Sequence, residues 1–213
     1  MEYKTIIFDF DGTLADTTKV VEWSFKYLFN RYKLKGYSSQ WLASKSGVAL
    51  EDIVKEMIFE HALPDRYYKP MLKEFRDYQL NFFYEEVKLF PDVVPLLKKY
   101  RDQKCKICLL SNRSEIFFQE YFKQQGILKY FDLILGRESV NNSKPNPEGV
   151  NMIKEIFPSD SMVLIGDTPI DIKTVKNAGI FGVAVASGKH SYEELASHNP
   201  DVLIHNLTEL IFT

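Results

Sequence analysis

The sequence predicts an α/β protein, a parallel sheet into which an all-helical segment is inserted after the first strand. Short apolar runs alternate with longer amphipathic stretches through most of the chain, the signature of parallel strands joined by helices. Between residues 17 and 86 that alternation stops, and four helical patterns follow one another with no strand among them. The length of 213 residues suits one core with a sizeable insertion better than two full domains. The expected division is therefore an α/β core from 1–16 and 87–213, with a helical cap at 17–86.

Thr5–Phe10 opens the sheet with a β-branched and aromatic run. The inserted helices are read at Thr17–Leu34, Ser38–Ser46, Leu50–Ala62 and Asp65–Glu85. This stretch of 70 residues holds 15 of the 30 aromatic residues, as expected where few residues must build a core of their own. The later strands are expected at Lys106–Leu110, Leu133–Leu135, Met162–Ile165, Gly182–Val185 and Val202–Ile204, with helices near Pro95–Gln103, Glu115–Gln125 and Pro147–Phe157. The last of these has Asn146 to cap it, Pro147 in its first position and Pro158 after its end. A further helix, Asp171–Ala178, stops at Gly179.

Composition excludes several classes. Apolar residues make up 45% and charged residues 26%, the balance of a globular protein rather than a disordered one. Against 27 Lys and Arg stand 29 Asp and Glu, so no basic field is available for nucleic acid or an anionic membrane. No apolar run reaches the roughly 20 residues of a membrane span. The chain enters a strand-like run at once, leaving no room for a signal peptide, and two cysteines make no disulfide framework. A cytoplasmic location is expected. Cys105 and Cys108 form a C-x-x-C, but on a strand positions three apart face opposite ways, and no second Cys or His pair completes a zinc site. Both are read as buried small hydrophobes. His61, His190, His198 and His205 lack metal-ligand spacing.

The chemistry concentrates at strand ends. Asp9-Phe10-Asp11-Gly12-Thr13 follows Thr5-Ile6-Ile7-Phe8 directly, and strand alternation sends Asp9 and Asp11 to one side. The carboxyl ends of parallel strands are where such sheets bind ligands, and Gly12 allows a sharp turn there. Two neighbouring carboxylates repel, so either one holds a proton or a cation lies between them. An ionised Asp can act as nucleophile, and a protonated one as general acid. A second acidic pair, Asp167 and Asp171, follows the strand Met162–Ile165 through Gly166, and Asp171 also suits a helix start. Asp167, Asp9 and the backbone near Asp11 would supply the oxygen ligands that Mg²⁺ prefers. Ser111-Asn112 ends another strand with a hydroxyl and amides suited to phosphate oxygens, and Lys144-Pro145 sets a cation in a stiff loop at a helix start.

These four segments, in this order, resemble the motifs of the haloacid dehalogenase (HAD) superfamily of phosphohydrolases. The likeness is to members with a helical cap after the first motif, of the phosphoglycolate phosphatase-like and beta-phosphoglucomutase-like kinds, and it spans nearly the whole chain. It includes Asn177-Ala178-Gly179 and the closing segment Asp201–Leu210. Asp11 sets the chain apart from the dehalogenases themselves, which lack an acid there. Asp92 in Phe90-Pro91-Asp92-Val93 departs from the Gly usual in relatives.

The resemblance implies a Rossmann-like core and an Mg²⁺-dependent phosphatase. Asp9 would attack phosphorus to form an aspartyl-phosphate. Asp11 would protonate the leaving oxygen and then serve as base for the hydrolytic water. Gly12, Thr13, Ser111, Asn112 and Lys144 would bind phosphate, and Asp9, Asp11, Asp167 and Asp171 would serve the metal. The cap, including the Ser46-Gly47-Val48 turn, would exclude water and select the substrate. A sugar phosphomutase is the alternative, against which Val21 stands where beta-phosphoglucomutase-like sequences carry His. A non-catalytic phosphate-binding protein is a lesser one, against which all the acids and Lys144 are present. The expected partner is a small phosphate ester, with neither nucleic acid nor membrane. Phosphoglycolate, a sugar phosphate, a nucleotide and pyrophosphate all remain open, and the sequence carries no sign of oligomeric state.

Overall fold

The computed structural model describes residues 3–210. The chain runs through β1 (Thr5–Phe8) and β2 (Ala15–Asp16) into four helices, α1 (Thr18–Arg31), α2 (Ser39–Ser44), α3 (Leu50–Glu60) and α4 (Tyr68–Glu86). It returns through β3 (Lys88–Leu89) and α5 (Val93–Asp102) to β4 (Lys106–Leu110), then α6 (Phe118–Gln124), β5 (Leu133–Leu135) and α7 (Glu148–Ile156). It closes with β6 (Met162–Gly166), α8 (Pro169–Ala178), β7 (Phe181–Val185), α9 (Tyr192–Ser197) and β8 (Val202–Ile204).

Six strands form one parallel sheet in the order β5-β4-β1-β6-β7-β8. The chain builds outward from β1 on one side and then on the other, so the strand order reverses beside β1. A crevice opens at the carboxyl ends of strands at such a reversal. Both sheet faces are covered, and period-two alternation explains how. Ile6, Phe8, Ile107, Leu109, Val163 and Ile165 enter one core, while Ile7, Cys108, Leu110, Met162 and Leu164 enter the other. Both cysteines are buried thiols; Cys105 donates its S–H to the Tyr3 carbonyl at 3.2 Å, and burial pushes the Cys108 thiol up to about 12, which leaves it inert.

The inserted helices have a core of their own. Phe25, Leu28 and Phe29 on α1 meet Leu42, then Ile53, Val54, Met57 and Ile58 on α3 and Met71, Leu72 and Phe75 on α4. The three- and four-residue spacing puts each set on one helix face. Trp41 packs edge-on against Phe25 and Phe29, so the aromatic surplus of this segment serves packing. The neck is a two-stranded ribbon in which β2 and β3 pair antiparallel.

Several element ends differ from the sequence reading. β1 stops at Phe8 rather than Phe10, because the Phe10 carbonyl turns to accept from Thr13, Leu14 and Ala15 in the next turn. The expected Asp65–Glu85 helix divides into a 3-10 turn at Asp65–Tyr67 followed by α4. Glu115–Gln125 divides likewise, with a 3-10 turn at Glu115–Phe117 before α6. α5 begins at Val93, and Pro95 sits in its first turn, where a backbone N–H has no intrahelical partner to lose. α7 starts one residue late: Pro147 takes the cap position and Asn146 still accepts from the Glu148 amide at 3.0 Å. α8 starts two residues early, because Thr168 caps it and Asp171 closes a reciprocal capping box from the third position. Gly179 ends it in the left-handed region, at φ 60°.

Candidate active site

Asp9 leaves β1 with its amide bonded to the Ile165 carbonyl on β6 at 2.9 Å, which aligns it with the next strand end. The following Phe10 is fully buried among Phe83, Phe118, Tyr121 and Phe122, and so pins the loop between its two acids. Gly12 adopts φ 74°. A Cβ there would lie 2.2 Å from Asp167 Oδ2, and one on Gly188 would lie 1.8 Å from the same oxygen. Two glycines thus make the cradle that lets Asp167 reach the site.

Asp9, Asp167 and Asp171 are all buried, and each offers a ligand oxygen within 4.8 Å of the others. Lys144, also buried, places Nζ 2.8 Å from Asp9 Oδ1 and 2.6 Å from Asp171 Oδ1. One ammonium cannot balance three carboxylates. Burial raises the Asp9 carboxyl to about 7, against the lowering pull of Lys144 and with added repulsion from Asp171 and Asp11. Burial, and then the Asp9 charge, raises Asp167 well above the usual range. For Lys144 burial works toward the neutral form, but Asp171 and Asp9 outweigh it and hold the ammonium. A buried set of oxygen donors with excess negative charge, and no His or Cys among them, fits a hard divalent cation such as Mg²⁺.

Asp11 does not join this cluster. Its carboxylate accepts from Arg113 Nε at 3.0 Å to each oxygen and from Arg113 Nη2 at 2.6 Å, and Thr17 donates its hydroxyl to Oδ1. The strand alternation that would have sent Asp9 and Asp11 the same way ends at Phe8, so it does not govern Asp11. Arg113 Nη1 donates to Gln79 Oε1 at 2.6 Å, and its guanidinium lies over the rings of Phe83 and Phe117.

The remaining sequence candidates divide by role. Gly12, Ser111, Asn112 and Lys144 line one cavity of about 130 Å³ together with Asp9, Asp11 and Asp167. Thr13 does not line it; its buried hydroxyl donates to Asp167 Oδ1 at 3.3 Å and braces that acid. The Asn112 side chain is committed to architecture. Its Oδ1 accepts from the Lys144 amide, and its Nδ2 donates to the carbonyls of Lys144 and Gly47. Ser111 Oγ accepts from the Arg113 amide at 3.2 Å. The cavity roof comes from the inserted helices, through Val21, Phe25, Leu42, Val48, Ile53 and Phe75.

Sequence reasoning missed Arg113 and Gln79. Arg113 follows Ser111-Asn112 directly and had a signal by position. Gln79 had one by pattern: on α4 the buried face runs Met71, Phe75, Gln79, Phe83 at steps of four, and Gln79 is its polar member.

Residues 6–185 match the haloacid dehalogenase-like hydrolase family. The pyrophosphatase PpaX of Oceanobacillus iheyensis is 27% identical over 213 residues, 99% of this chain and 96% of that one. A solved structure from Bacteroides fragilis, designated a haloacid dehalogenase-like hydrolase, superposes with a TM-score of 0.89 at 25% identity, covering 99% of this chain and 100% of the other. One from Haemophilus somnus, designated a phosphoglycolate phosphatase, shares the fold with a TM-score of 0.88 at 21% identity, covering 99% and 97%. The order of its motifs, the sheet that gathers them and the helical insertion above them agree with these matches, and the chain belongs to the haloacid dehalogenase-like hydrolases.

Proposed function

We propose that the protein is an Mg²⁺-dependent phosphatase that hydrolyses a small phosphate monoester through an aspartyl-phosphate on Asp9. The observation that carries this reading is Lys144 bridging Asp9 and Asp171 at the floor of a small, roofed cavity. An Asp9 oxygen held at 2.8 Å from an ammonium is fixed in place, which leaves the carboxylate's other oxygen to attack phosphorus. The P–O bond to the leaving group breaks as the Asp9–P bond forms. Asp11 gives its proton to the departing oxygen and later takes one from the water that splits the acyl phosphate. Asp9, Asp167 and Asp171 would hold the cation, which supplies positive charge against the phosphate dianion. Lys144 and Ser111 face the phosphoryl oxygens from the cavity floor. Residues 17–86 act as the cap that keeps bulk water out, and the turn at Gly47, joined to Asn112, is its latch.

In this arrangement both Asp11 oxygens accept hydrogen bonds, so proton delivery from Asp11 requires Arg113 to release one of them. The mutase reading is weaker. Val21 lines the cavity, and no His does, so nothing at that position would handle the hydroxyl of an acceptor sugar. The working location is the cytoplasm, in keeping with cysteines that are both buried thiols; no described helix is long and apolar enough to cross a membrane. The test is phosphate release from p-nitrophenyl phosphate and small esters, with Mg²⁺ or EDTA. Release that needs Mg²⁺ and disappears in Asp9→Asn is expected; turnover surviving in that variant overturns the nucleophile.

A further inference from the structure

Five cations line the cavity: Lys45, Arg76, Arg113, Lys144 and Lys189. Four of them are committed. Lys45 pairs with Glu56, Arg76 with Glu51 and Arg113 with Asp11, while Lys144 gives two of its three N–H groups to Asp9 and Asp171. The Lys189 ammonium has neither a hydrogen bond nor an ion pair among the described residues. Glu22 on α1 is the acid that feels its charge, but weakly. That carboxyl is held below its usual range first by Lys26, which bonds it at 2.5 Å, and least by Lys189. A lysine normally keeps its charged head in water. This one is half-buried and lines a roofed cavity instead.

The loop that carries Lys189 is fixed on both sides of it. The Ala186 amide donates to the Ile204 carbonyl on β8 at 2.8 Å, and the Ser187 hydroxyl donates to the Gly12 carbonyl at 2.6 Å. Gly188 lies so close to Asp167 that a Cβ on it would stand 1.8 Å from Oδ2. On the other side, His190 has a side chain only 10% exposed and places Nδ1 2.9 Å from Glu194 Oε1 on α9. Lys189 is therefore held between anchored neighbours, beside the turn of the first motif and the acid of the fourth. Its backbone has given up its freedom before any ligand arrives, which favours binding.

Charge at the cavity floor says what the ammonium meets. Asp9, Asp11, Asp167 and Asp171 carry four negative charges when ionised, and Lys144, Arg113 and a divalent cation together carry four positive ones. A phosphate dianion then enters with nothing left over to balance it, and Lys144 has one N–H still to give. A second ammonium answers that excess with charge-assisted hydrogen bonds. The phosphoryl group remains when the leaving group has gone, so the same pairing serves the product.

We propose that Lys189 is a second phosphate-binding cation, whose ammonium pairs with the phosphoryl oxygens of the bound ester and of the product phosphate. This rests on the phosphatase reading and deepens it: the loop after β7 supplies a binding residue that none of the four motifs contains.

The experiment titrates inorganic phosphate into the Mg²⁺-loaded protein by isothermal calorimetry and measures kcat and KM for p-nitrophenyl phosphate. Lys189→Met keeps the stem and removes the charge. It should raise the phosphate Kd and KM about tenfold, change kcat less than about threefold and leave Tm within about 2 °C of wild type. Lys189→Arg should recover phosphate binding to within about threefold, since the charge is restored. The loss in Lys189→Met should persist at about 0.5 M NaCl, where charges acting from a distance are screened. Glu22→Gln should leave phosphate binding unchanged. The inference is overturned by a Kd within about twofold of wild type in folded Lys189→Met, by a loss that vanishes in salt, by Lys189→Arg as weak as Lys189→Met, or by an equal loss in Glu22→Gln. Each of those results leaves the phosphatase reading standing. Lys189→Gln, with the same expectations, serves if Lys189→Met does not fold by circular dichroism. Wild-type protein that releases phosphate from no ester fails the phosphatase reading instead. The phosphate titration then decides the inference alone: binding to wild type that weakens in the variant upholds it, and equal or no binding overturns it.

Discussion

Asn112, at the end of β4, donates its Nδ2 to the carbonyl of Gly47 in the turn between α2 and α3, at 2.8 Å. The same Nδ2 donates to the Lys144 carbonyl at 2.9 Å, and Oδ1 accepts from the Lys144 amide at 2.8 Å. One side chain thus ties the roof of the cavity to the lysine on its floor.

Asn112→Asp should therefore damage two things at once. The carboxylate keeps the acceptor for the Lys144 amide but aims a second acceptor at two carbonyls. Each lost and unreplaced bond costs about 1–3 kcal/mol, so a Tm lower by several degrees and a kcat/KM lower by about two orders of magnitude are expected. Differential scanning calorimetry and steady-state kinetics check this. A variant with wild-type Tm and activity would show that the tie does not matter.

Burial of Asp9 and Asp167, opposed by Lys144, sets the pH dependence of the metal-free protein. Burial raises Asp9 from its ordinary 3.8 to about 7, and raises Asp167 as well. A carboxyl whose folded-state value is raised contributes stability that is fully present below its unfolded value, and that stability is lost as pH rises through the folded value. The metal-free Tm should accordingly fall between about pH 4 and pH 7. Mg²⁺ competes with the proton for these acids, so it should raise Tm more at pH 8 than at pH 5. Lys144→Met removes the charge that lowers Asp9 and should make the metal-free loss larger. Calorimetric scans across pH, with EDTA and with Mg²⁺, read all three. A cation effect independent of pH would count against ligation by these acids.

Phe10 sits between the two motif acids and stacks with Phe83 on α4 while meeting Phe118, Tyr121 and Phe122 of α6. Phe10→Ala should destabilise by about 3–5 kcal/mol. Phe10→Leu fills more of the space and should cost less. Because the ring fixes the loop that carries Asp9 and Asp11, kcat should fall in Phe10→Leu even at temperatures where the variant is fully folded. Urea unfolding and kcat at low temperature separate the two effects.

The pattern of strands was legible because the short apolar runs Thr5–Phe8, Lys106–Leu110 and Met162–Gly166 are a local property of the sequence, as expected of parallel strands buried on both faces. Asp9 and Asp167 were legible for the same reason, each standing directly at the end of such a run, and Asp11 and Asp171 by their closeness to them. What lay beyond the sequence was pairing at a distance. Arg113 meets Asp11 across 102 positions and Gln79 across 34, and no local period reports either contact. Asp11 was placed by extending a strand that in fact gives way to a turn at Phe10. The ribbon of β2 and β3 escaped because strands of two residues are too short to show a period.

Charge also links the roof to the core. Glu51 on α3 pairs with Arg76 on α4 and stands 3.4 Å from Arg137, which belongs to the core, while Arg76 lies 3.7 Å from Glu138. Glu138 in turn accepts from the Ser114 hydroxyl and the Glu115 amide; these bonds overcome the effect of burial and hold its carboxyl below the usual range. The bridge is only partly satisfied, since Glu51 Oε2, Arg76 Nε and Arg137 Nε have no hydrogen-bond partner. A partly exposed ion pair of this kind contributes little to stability, about 1 kcal/mol or less. Its effect should fall on how readily the roof closes. Glu51→Gln should leave Tm within about 2 °C of wild type. It should raise KM severalfold and flatten the dependence of kcat/KM on salt, because the screened attraction is gone. Kinetics at low and high NaCl measure this directly, and an unchanged salt slope would assign the bridge no part in closure.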